Sequence, residues 1–327
     1  MPQWTHARTT RTRCAFGAGH PGRVPEVLFV NTELASSYAR AEEAVALRVS
    51  AASDVGSVRQ VNEDSVLARM PVFFVADGMG GHAYGDRASQ TVVATFDEEF
   101  QVEEPATPDR VLRTIDRANQ AVQNLVTEAD GPGAVAGTTL SGIALVDLAD
   151  LGAELLHWMI FNVGDSRVYG WNGRALVQVT VDHSAVQEMV AMGLISAADA
   201  LIHPDRNVIT RAVGSESDVE ADIWLMPVHG HQVFLVCSDG LTKELSDEQI
   251  SQVMLEYHSD PEPELTLAET LVQTAVEVGG RDNVSVVVID SEYANANADQ
   301  DSGTPTVTTG PIAAPPADDT FEDTTPR

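Results

Sequence analysis

Between residues 138 and 180 the sequence predicts four consecutive short strands with no helix between them. Each segment is rich in apolar and β-branched residues, and the Asn172-Gly173 dipeptide between the last two predicts a β-hairpin. A doubly wound parallel sheet alternates strands with helices, so this run disfavours that architecture and favours antiparallel pairing. The four segments are 138–147, 154–163, 167–171 and 176–180.

Amphipathic helices are predicted on both sides of this run, because apolar residues recur there every three or four positions. The expected helices are 84–100, 108–128, 184–192, 196–201, 247–257 and 264–278. Further strands are expected at 45–49, 65–69, 72–76, 208–212, 219–226, 232–237 and 283–290. The whole pattern predicts antiparallel sheets covered by long helices.

The two ends of the chain differ from its middle in composition. Residues 1–43 mix Arg, Gly, Pro and Thr without periodicity, and residues 291–327 form an acidic segment rich in Thr, Pro, Asp and Ala. Such segments bury too little apolar surface to offset the entropy of ordering, so we expect both to be disordered. The folded body is then expected to be a single domain over residues 44–290.

The body of the chain is strongly acidic. The net charge is −30 at pH 7, and residues 26–290 hold 42 acidic and 14 basic residues. A surface of this charge repels nucleic acid and anionic lipid and attracts divalent cations. Because of this repulsion, we expect no nucleic-acid partner. A solvated acidic surface that favours solubility explains the charge equally well.

The sequence also favours a cytoplasmic protein without a membrane span. Cys14 and Cys237 are its only cysteines, too few for a disulfide framework, which fits a reducing compartment. It contains no run of about eighteen apolar residues, and its arginine-containing start lacks the apolar stretch of a signal peptide. We expect a soluble, cytoplasmic chain.

Five acidic motifs lie close to the ends of predicted strands. They are Arg-Gln-Val-Asn-Glu-Asp at 59–64, Asp-Gly-Met-Gly-Gly-His at 77–82, Gly-Asp-Ser-Arg at 164–167, Ser-Asp-Gly at 238–240 and Arg-Asp-Asn at 281–283. Carboxylates that converge at the edge of a core raise one another's pKa unless a cation neutralises them. Ligation by oxygen alone suits Mg²⁺ or Mn²⁺. A single Asp-Gly pair is more often a turn, but the five motifs together predict a metal site.

In this order the motifs resemble those of the PPM family, the 2C-type Ser/Thr protein phosphatases, in its bacterial form, over about residues 46–290. Residues 192–200 and 203–211 also resemble the flap of the bacterial family and the strand after it. The resemblance implies an α+β fold, a four-layer αββα sandwich of two antiparallel β-sheets flanked by helices. It also implies hydrolysis of phosphoserine and phosphothreonine in proteins by direct attack of a metal-bridging water. The implied partners are phosphorylated proteins, among them Ser/Thr kinases and their substrates, and we expect a monomer.

The resemblance implies ligands for two Mn²⁺ or Mg²⁺ ions. Asp77 would bridge the two ions, and the carbonyl of Gly78 would bind the second. Asp239 and Asp282 would complete the shell of the first. A third, weaker ion would use Asp165 together with Asp239.

The resemblance also implies residues that act around these ions. Glu63 and Asp64 would act on the attacking water, and Arg59 would bind the substrate phosphate, for which a guanidinium with two parallel donors is suited. Asn283 is expected to orient Asp282 by hydrogen bonding.

The general acid is the point at which this chain departs from part of the family. Animal-type members carry a histidine two residues after the bridging aspartate, where this sequence has Met79. His82 is the alternative candidate, although its place at the start of a predicted helix favours a structural role equally.

The motifs also bear on three alternative functions. Residues 78–83 match the loose dinucleotide-binding pattern, but the acidic residues 97–99 lie in a predicted helix where that motif needs a second strand. A pseudophosphatase adaptor that binds phosphoproteins without turnover would have lost metal ligands, whereas every core carboxylate is present here. A metal-dependent phosphomonoesterase of small molecules remains open.

Overall fold

The computed structural model of the protein describes residues 32–40, 43–79, 84–127, 134–149 and 156–295. In chain order its strands are β1 (Thr32–Arg40), β2 (Glu43–Asp54), β3 (Asp64–Arg69), β4 (Val72–Met79), β5 (Gly137–Thr138), β6 (Leu140–Val146), β7 (His157–Val163), β8 (Arg167–Trp171), β9 (Leu176–Gln178), β10 (Asp222–Pro227), β11 (His231–Cys237) and β12 (Val284–Asn295). The helices are α1 (Gly85–Glu99), α2 (Pro108–Gln123), α3 (Ala185–Ala191), α4 (Ala197–Ala200), α5 (Asp239–Glu244), α6 (Asp247–Ser259) and α7 (Leu267–Val278). Across the described ranges, none of these helices is both long enough and apolar enough to span a bilayer.

The strands form two antiparallel sheets. One sheet has the order β1-β2-β12-β11-β8-β9, and the other has the order β10-β7-β6-β4-β3, with β5 paired to β4. The expected hairpin at Asn172-Gly173 joins β8 and β9, which pair through Trp171 and Leu176. The four strands that the sequence predicts in succession are therefore divided between the two sheets.

Three apolar cores separate four layers of secondary structure. Side chains alternate along a strand, so Phe73 of β4 packs between the sheets while Phe74 packs against α1 and α2. In β11, Phe234 faces the other sheet and Leu235 faces the layer of α5, α6 and α7. Strands covered on both faces need apolar residues at every position, which explains the continuous apolar run 72–76. The predicted α+β, four-layer αββα sandwich is confirmed.

Strand register brings the acidic motifs to neighbouring strand ends. In one sheet, Asp64 at the start of β3 pairs directly with Asp77 near the end of β4. In the other sheet, the last residue of β11 pairs with Val286 near the start of β12. Asp239, just after β11, and Asp282, just before β12, are therefore neighbours.

Two expectations about the limits of the folded body are wrong. Strand β1 lies within segment 1–43, for which the sequence predicts disorder, and β12 continues to Asn295, past the expected boundary at 290. Both strands pair with β2 along its length, so backbone hydrogen bonds order them. Strand β1 is an edge strand whose Tyr38 packs against the core between the sheets. An edge strand needs little apolar character, which is why periodicity does not reveal it. Residues 1–31 and 296–327 lie outside the described residues.

Segment 208–212 is not the strand that the sequence predicts. It makes one isolated bridge, between Ser184 and Ile209. Its neighbouring backbone groups bond to the start of α3, with Ala185 donating to the Val208 carbonyl at 2.9 Å and Thr210 donating to the His183 carbonyl at 2.9 Å. These local bonds satisfy the backbone without a sheet partner. The short helix α5, which the sequence analysis does not predict, begins at Asp239.

Candidate metal centre

Asp77 is held at the end of β4 by Thr139. The Asp77 amide donates to Thr139 Oγ1 at 2.9 Å, and the Thr139 amide donates back to the Asp77 carbonyl at 2.9 Å. The Thr139 hydroxyl also lies 2.7 Å from the Ser166 hydroxyl, beside the turn that carries Asp165. These bonds fix the expected bridging ligand relative to the expected ligand of the third ion.

Asp239 and Asp282 face each other across a lysine. The ammonium of Lys243 forms an ion pair with Asp239 Oδ2 and lies 2.8 Å from Asp282 Oδ2. Arg59 also pairs with Asp282, its Nε lying 2.9 Å from Oδ1 and its Nη2 3.1 Å from Oδ2. The structure thus brings Arg59 to the predicted site, where its partner is a carboxylate. Its expected role at the substrate phosphate stays a prediction.

Asn283 acts mainly on the loop that carries Glu63. Its side-chain amide donates to the carbonyls of Val55 at 2.9 Å and Val61 at 3.0 Å, and its Oδ1 accepts from the Glu63 amide at 2.9 Å. The bond to Asp282 comes from the Asn283 backbone amide, at 3.0 Å from Oδ1. The side chain therefore ties the 55–63 loop to the start of β12, which sequence reasoning did not anticipate.

Burial and mutual repulsion raise the pKa of most of these carboxyls. Burial, followed by the charges of Asp64 and Asp239, raises the pKa of Asp77 well above its ordinary value. Burial and nearby carboxylates raise the pKa of Asp64 and of Asp165 to about 7. Burial likewise raises the pKa of Asp239. Asp282 differs, because hydrogen bonding and charge from Lys243, aided by Arg59, outweigh its burial and lower its pKa.

The donor set fits a cation. Among the described residues, one buried oxygen each of Asp64, Asp165 and Asp239 has no hydrogen-bond partner. A buried oxygen without a donor is costly, and a divalent ion satisfies it directly. As they stand, no three His, Cys, Asp or Glu side chains in the described ranges are arranged so as to enclose an ion. The oxygens of the cluster therefore have the chemistry that suits Mg²⁺ or Mn²⁺.

The raised pKa of Asp64 predicts how the stability of the metal-free protein depends on pH. The pKa is about 7 in the folded chain against an ordinary value of 3.8, so the folded state binds more protons between these values. The free energy of unfolding therefore falls as pH rises through this window. Asp64→Asn removes this effect. In chelator, we expect the variant to gain stability relative to the parent from about pH 5 to about pH 8, as measured by calorimetry. If the stability gained by Asp64→Asn relative to the parent became smaller as pH rises, the prediction would be wrong.

Two glycines allow close backbone approach beside the ligands. A Cβ on Gly78 would clash with the carbonyl oxygen of Gly85, and one on Gly240 would clash with the carbonyl oxygen of Asn283. The Gly78 amide donates to the Glu63 carbonyl at 3.1 Å, which brings the 55–63 loop against the end of β4. These contacts explain why Asp-Gly pairs occur at both positions.

Asp165 lies in the turn between β7 and β8, and a buried histidine supports that turn. His183 accepts a hydrogen bond at Nδ1 from the Gly164 amide at 3.1 Å, and its Nε2 lies 3.3 Å from Asp222 Oδ2. Burial lowers the pKa of His183 despite the carboxylate of Asp222. His183 therefore supports the turn of Asp165, and the next residue, Ser184, caps α3 by accepting a hydrogen bond from the Gln187 amide.

His82, the possible general acid, lies outside the described residues, and its role stays a prediction. The sequence pattern does not identify Lys243 as a site residue. Its spacing of four residues from Asp239 is a signal for contact, but only within a helix that the sequence analysis does not predict.

Comparison with known proteins identifies the family of this chain. A sequence model described as protein phosphatase 2C matches residues 56–274. The serine/threonine phosphatase stp of Listeria monocytogenes is 31% identical over 259 residues, which cover 76% of this chain and 97% of that protein. The serine/threonine protein phosphatase PstP of Mycobacterium tuberculosis is 38% identical over 248 residues, which cover 75% of this chain and 45% of PstP.

Solved structures show the same fold. The PstP catalytic domain in complex with two manganese ions aligns with a TM-score of 0.63 and 34% identity, covering 76% of this chain and 99% of that one. The PPM Ser-Thr phosphatase MsPP of Mycobacterium smegmatis, in complex with cacodylate, aligns with a TM-score of 0.62 and 32% identity. The alignment covers 74% of this chain and 97% of that one.

The αββα sandwich with buried carboxylates at neighbouring strand ends defines a metal-dependent phosphatase. The chain belongs to the protein phosphatase 2C family, in its bacterial PPM form. It is a serine/threonine protein phosphatase that depends on divalent metal ions. These relatives favour the enzyme over the non-catalytic adaptor.

Proposed function

We propose that the carboxylate cluster hydrolyses phosphoserine and phosphothreonine in proteins with two divalent ions, Mn²⁺ or Mg²⁺. The proposed ligands are Asp77, the carbonyl of Gly78, Asp239 and Asp282, with Asp165 and Asp239 for a third, weaker ion. The observation that supports them is a set of buried, mutually repelling carboxyls. Among the described residues, the ligands Asp165 and Asp239 and their neighbour Asp64 each have one buried oxygen without a donor. A bound cation relieves both the repulsion and the missing contacts.

The chain's own residues orient the reacting groups. When bound, the ions supply a water nucleophile at neutral pH and neutralise charge on the phosphoryl oxygens. Asp64 is proposed to hold a proton of that water. The Ser238 hydroxyl fixes the Asp64 side chain by donating a hydrogen bond to its Oδ2 at 2.8 Å. Glu63 is proposed to assist, on a loop that Asn283 fastens.

Arg59 is proposed to bind the phosphate of the substrate. Its side chain is 48% exposed, so its ion pair with Asp282 faces solvent and is worth at most about 1 kcal/mol. A phosphate dianion offers the guanidinium two oxygens and a larger charge. The pair with Asp282 therefore keeps Arg59 at the site at little cost to phosphate binding.

Substitution of Arg59 separates substrate binding from metal binding. We expect Arg59→Ala to raise KM about ten-fold or more and to lower kcat, because a charge-assisted contact with phosphate is lost. Mn²⁺ affinity, measured by calorimetry, should change little. Arg48→Ala is the matched control, since Arg48 forms an exposed pair with Asp290 in the sheet. Loss of the tight Mn²⁺ sites in Arg59→Ala would contradict the assigned role.

The substrates, the cellular location and the limits of the catalytic domain are also part of the proposal. Phosphorylated proteins are the proposed substrates, including Ser/Thr kinases and the proteins they phosphorylate, because the named relatives are Ser/Thr phosphatases. A cytoplasmic location is proposed, since a chain with only two cysteines suits a reducing compartment, and the enzyme is proposed to act as a monomer. The catalytic domain is proposed to span 44–290, extended by β1 and β12 to residues 32–295.

A comparison of substrates tests the proposed protein specificity. In Mn²⁺, we expect kcat/KM for phosphoserine and phosphothreonine peptides to exceed that for small phosphorylated metabolites by about ten-fold or more, because flanking peptide adds binding energy. Initial rates of phosphate release at low substrate concentration give these values. Faster turnover of a metabolite would instead favour the small-molecule phosphomonoesterase.

A further inference from the structure

Lys243 joins the two carboxylates that are proposed to hold the first ion. It is the only lysine in the chain, and it lies in the last turn of α5, four residues after Asp239. Its ammonium contacts Asp239 Oδ2 and lies 2.8 Å from Asp282 Oδ2. The side chain is 31% exposed, so water screens the contact only in part.

The neighbouring residues hold this contact in place. Glu244 is 3% exposed and accepts hydrogen bonds from the backbone amide and Nε of Arg281, both at 2.9 Å. Arg281 Nη2 also donates to the Lys243 carbonyl at 3.0 Å. Arg281 directly precedes Asp282, so these bonds fasten the end of α5 to the loop that carries Asp282. Lys243 can therefore leave Asp282 only by rotation of its own side chain.

We propose that Lys243 is an internal counter-ion, which occupies the Asp239–Asp282 pair in the metal-free protein and is displaced by the first divalent ion. Two neighbouring, largely buried carboxylates are costly without a cation. An ammonium supplies one positive charge through hydrogen bonds, whereas a divalent ion supplies two and coordinates the oxygens directly. The inference rests on the ligand roles proposed above for Asp239 and Asp282.

Removal of the ammonium is expected to have two opposite effects. The metal-free protein loses stability, because Asp239 then has no cation and the solvent-facing pair of Arg59 with Asp282 offsets the repulsion between the two carboxylates only in part. The affinity for the first ion rises, because the ion no longer has to displace a competitor. Mn²⁺ and Mg²⁺ gain by the same factor, since the displaced group is the same. A lysine that only supported α5 would destabilise metal-free and metal-loaded protein alike and would not tighten ion binding.

The test compares the full chain with Lys243→Met after both are stripped of metal by chelation and dialysis. Calorimetric titration with Mn²⁺ should show the Kd of the tightest site falling about ten-fold in the variant. The same fall is expected with Mg²⁺. The Tm of the metal-free variant should be lower than that of the parent, and the Tm values in saturating Mn²⁺ should agree.

Two controls separate charge from structure. Lys243→Arg keeps a cation and should retain most of the parent's Kd, whereas Arg48→Met removes one positive charge from an exposed pair with Asp290 and should leave the Kd unchanged. If Lys243→Met does not fold, Lys243→Gln provides an uncharged hydrogen-bond donor for the same comparison.

The outcomes distinguish this inference from the proposed function. A parent chain that binds no Mn²⁺ would show that the proposed metal site itself is wrong. A parent that binds Mn²⁺, together with an uncharged variant of equal or weaker affinity, would overturn only the counter-ion role of Lys243.

Discussion

Chelation of divalent ions is expected to reduce phosphopeptide hydrolysis by this protein to the uncatalysed background, a loss of at least about 10³-fold, because the electrostatic stabilisation of the reaction disappears. The carboxyl groups of the cluster cannot replace the ions. Asp77, Asp64 and Asp165 have raised pKa values and present no positive charge to a phosphate dianion. Phosphate release with EDTA, followed by readdition of Mn²⁺ or Mg²⁺, measures the effect.

Recovery distinguishes metal dependence from simple denaturation. The chelated protein should remain folded, with cooperative thermal unfolding, because its three apolar cores do not depend on the site. Readdition of Mn²⁺ should then restore most of the activity. Undiminished turnover in thoroughly chelated protein would contradict the proposed mechanism.

Asp239→Asn is expected to lower kcat/KM by more than about 10²-fold, because changes even outside the direct ligands typically cost 10–100-fold in metal affinity or activity. The proposal assigns Asp239 both to the first ion and to the third, weaker ion, and one of its buried oxygens has no partner among the described residues. Asparagine keeps the shape of the side chain and removes one charge from the cluster. Steady-state kinetics and Mn²⁺ calorimetry on the same sample should show weaker binding together with the lost rate.

Asp290→Asn is the matched control for this substitution. Asp290 lies on β12 and pairs with His231 and Arg48 rather than with the cluster. It loses the same charge, so its kinetics should stay close to those of the parent. Equal activity of Asp239→Asn and Asp290→Asn would remove Asp239 from the metal site.

The sequence predicts most of the architecture because two signals are local. Period-two and continuous apolar runs predict the central strands, and recurrence every three or four residues predicts α1, α2, α6 and α7. The sequence mispredicts two segments because contacts with other parts of the chain decide their structure. Strand β1 is ordered by pairing with β2, and segment 208–212 bonds to the start of α3. Neither fact is visible in composition or periodicity.

The sequence by itself determined the family and the set of candidate carboxylates, because motif order and residue type are written in the chain. The tertiary structure decided how those groups are paired. Arg59 and Lys243 both contact Asp282, and Asn283 fastens the loop of Glu63, across separations in sequence that no pattern specifies. The physical reason is that charge neutralisation in a buried cluster depends on distances between atoms from different strands. Those distances are set only when the two sheets pack together.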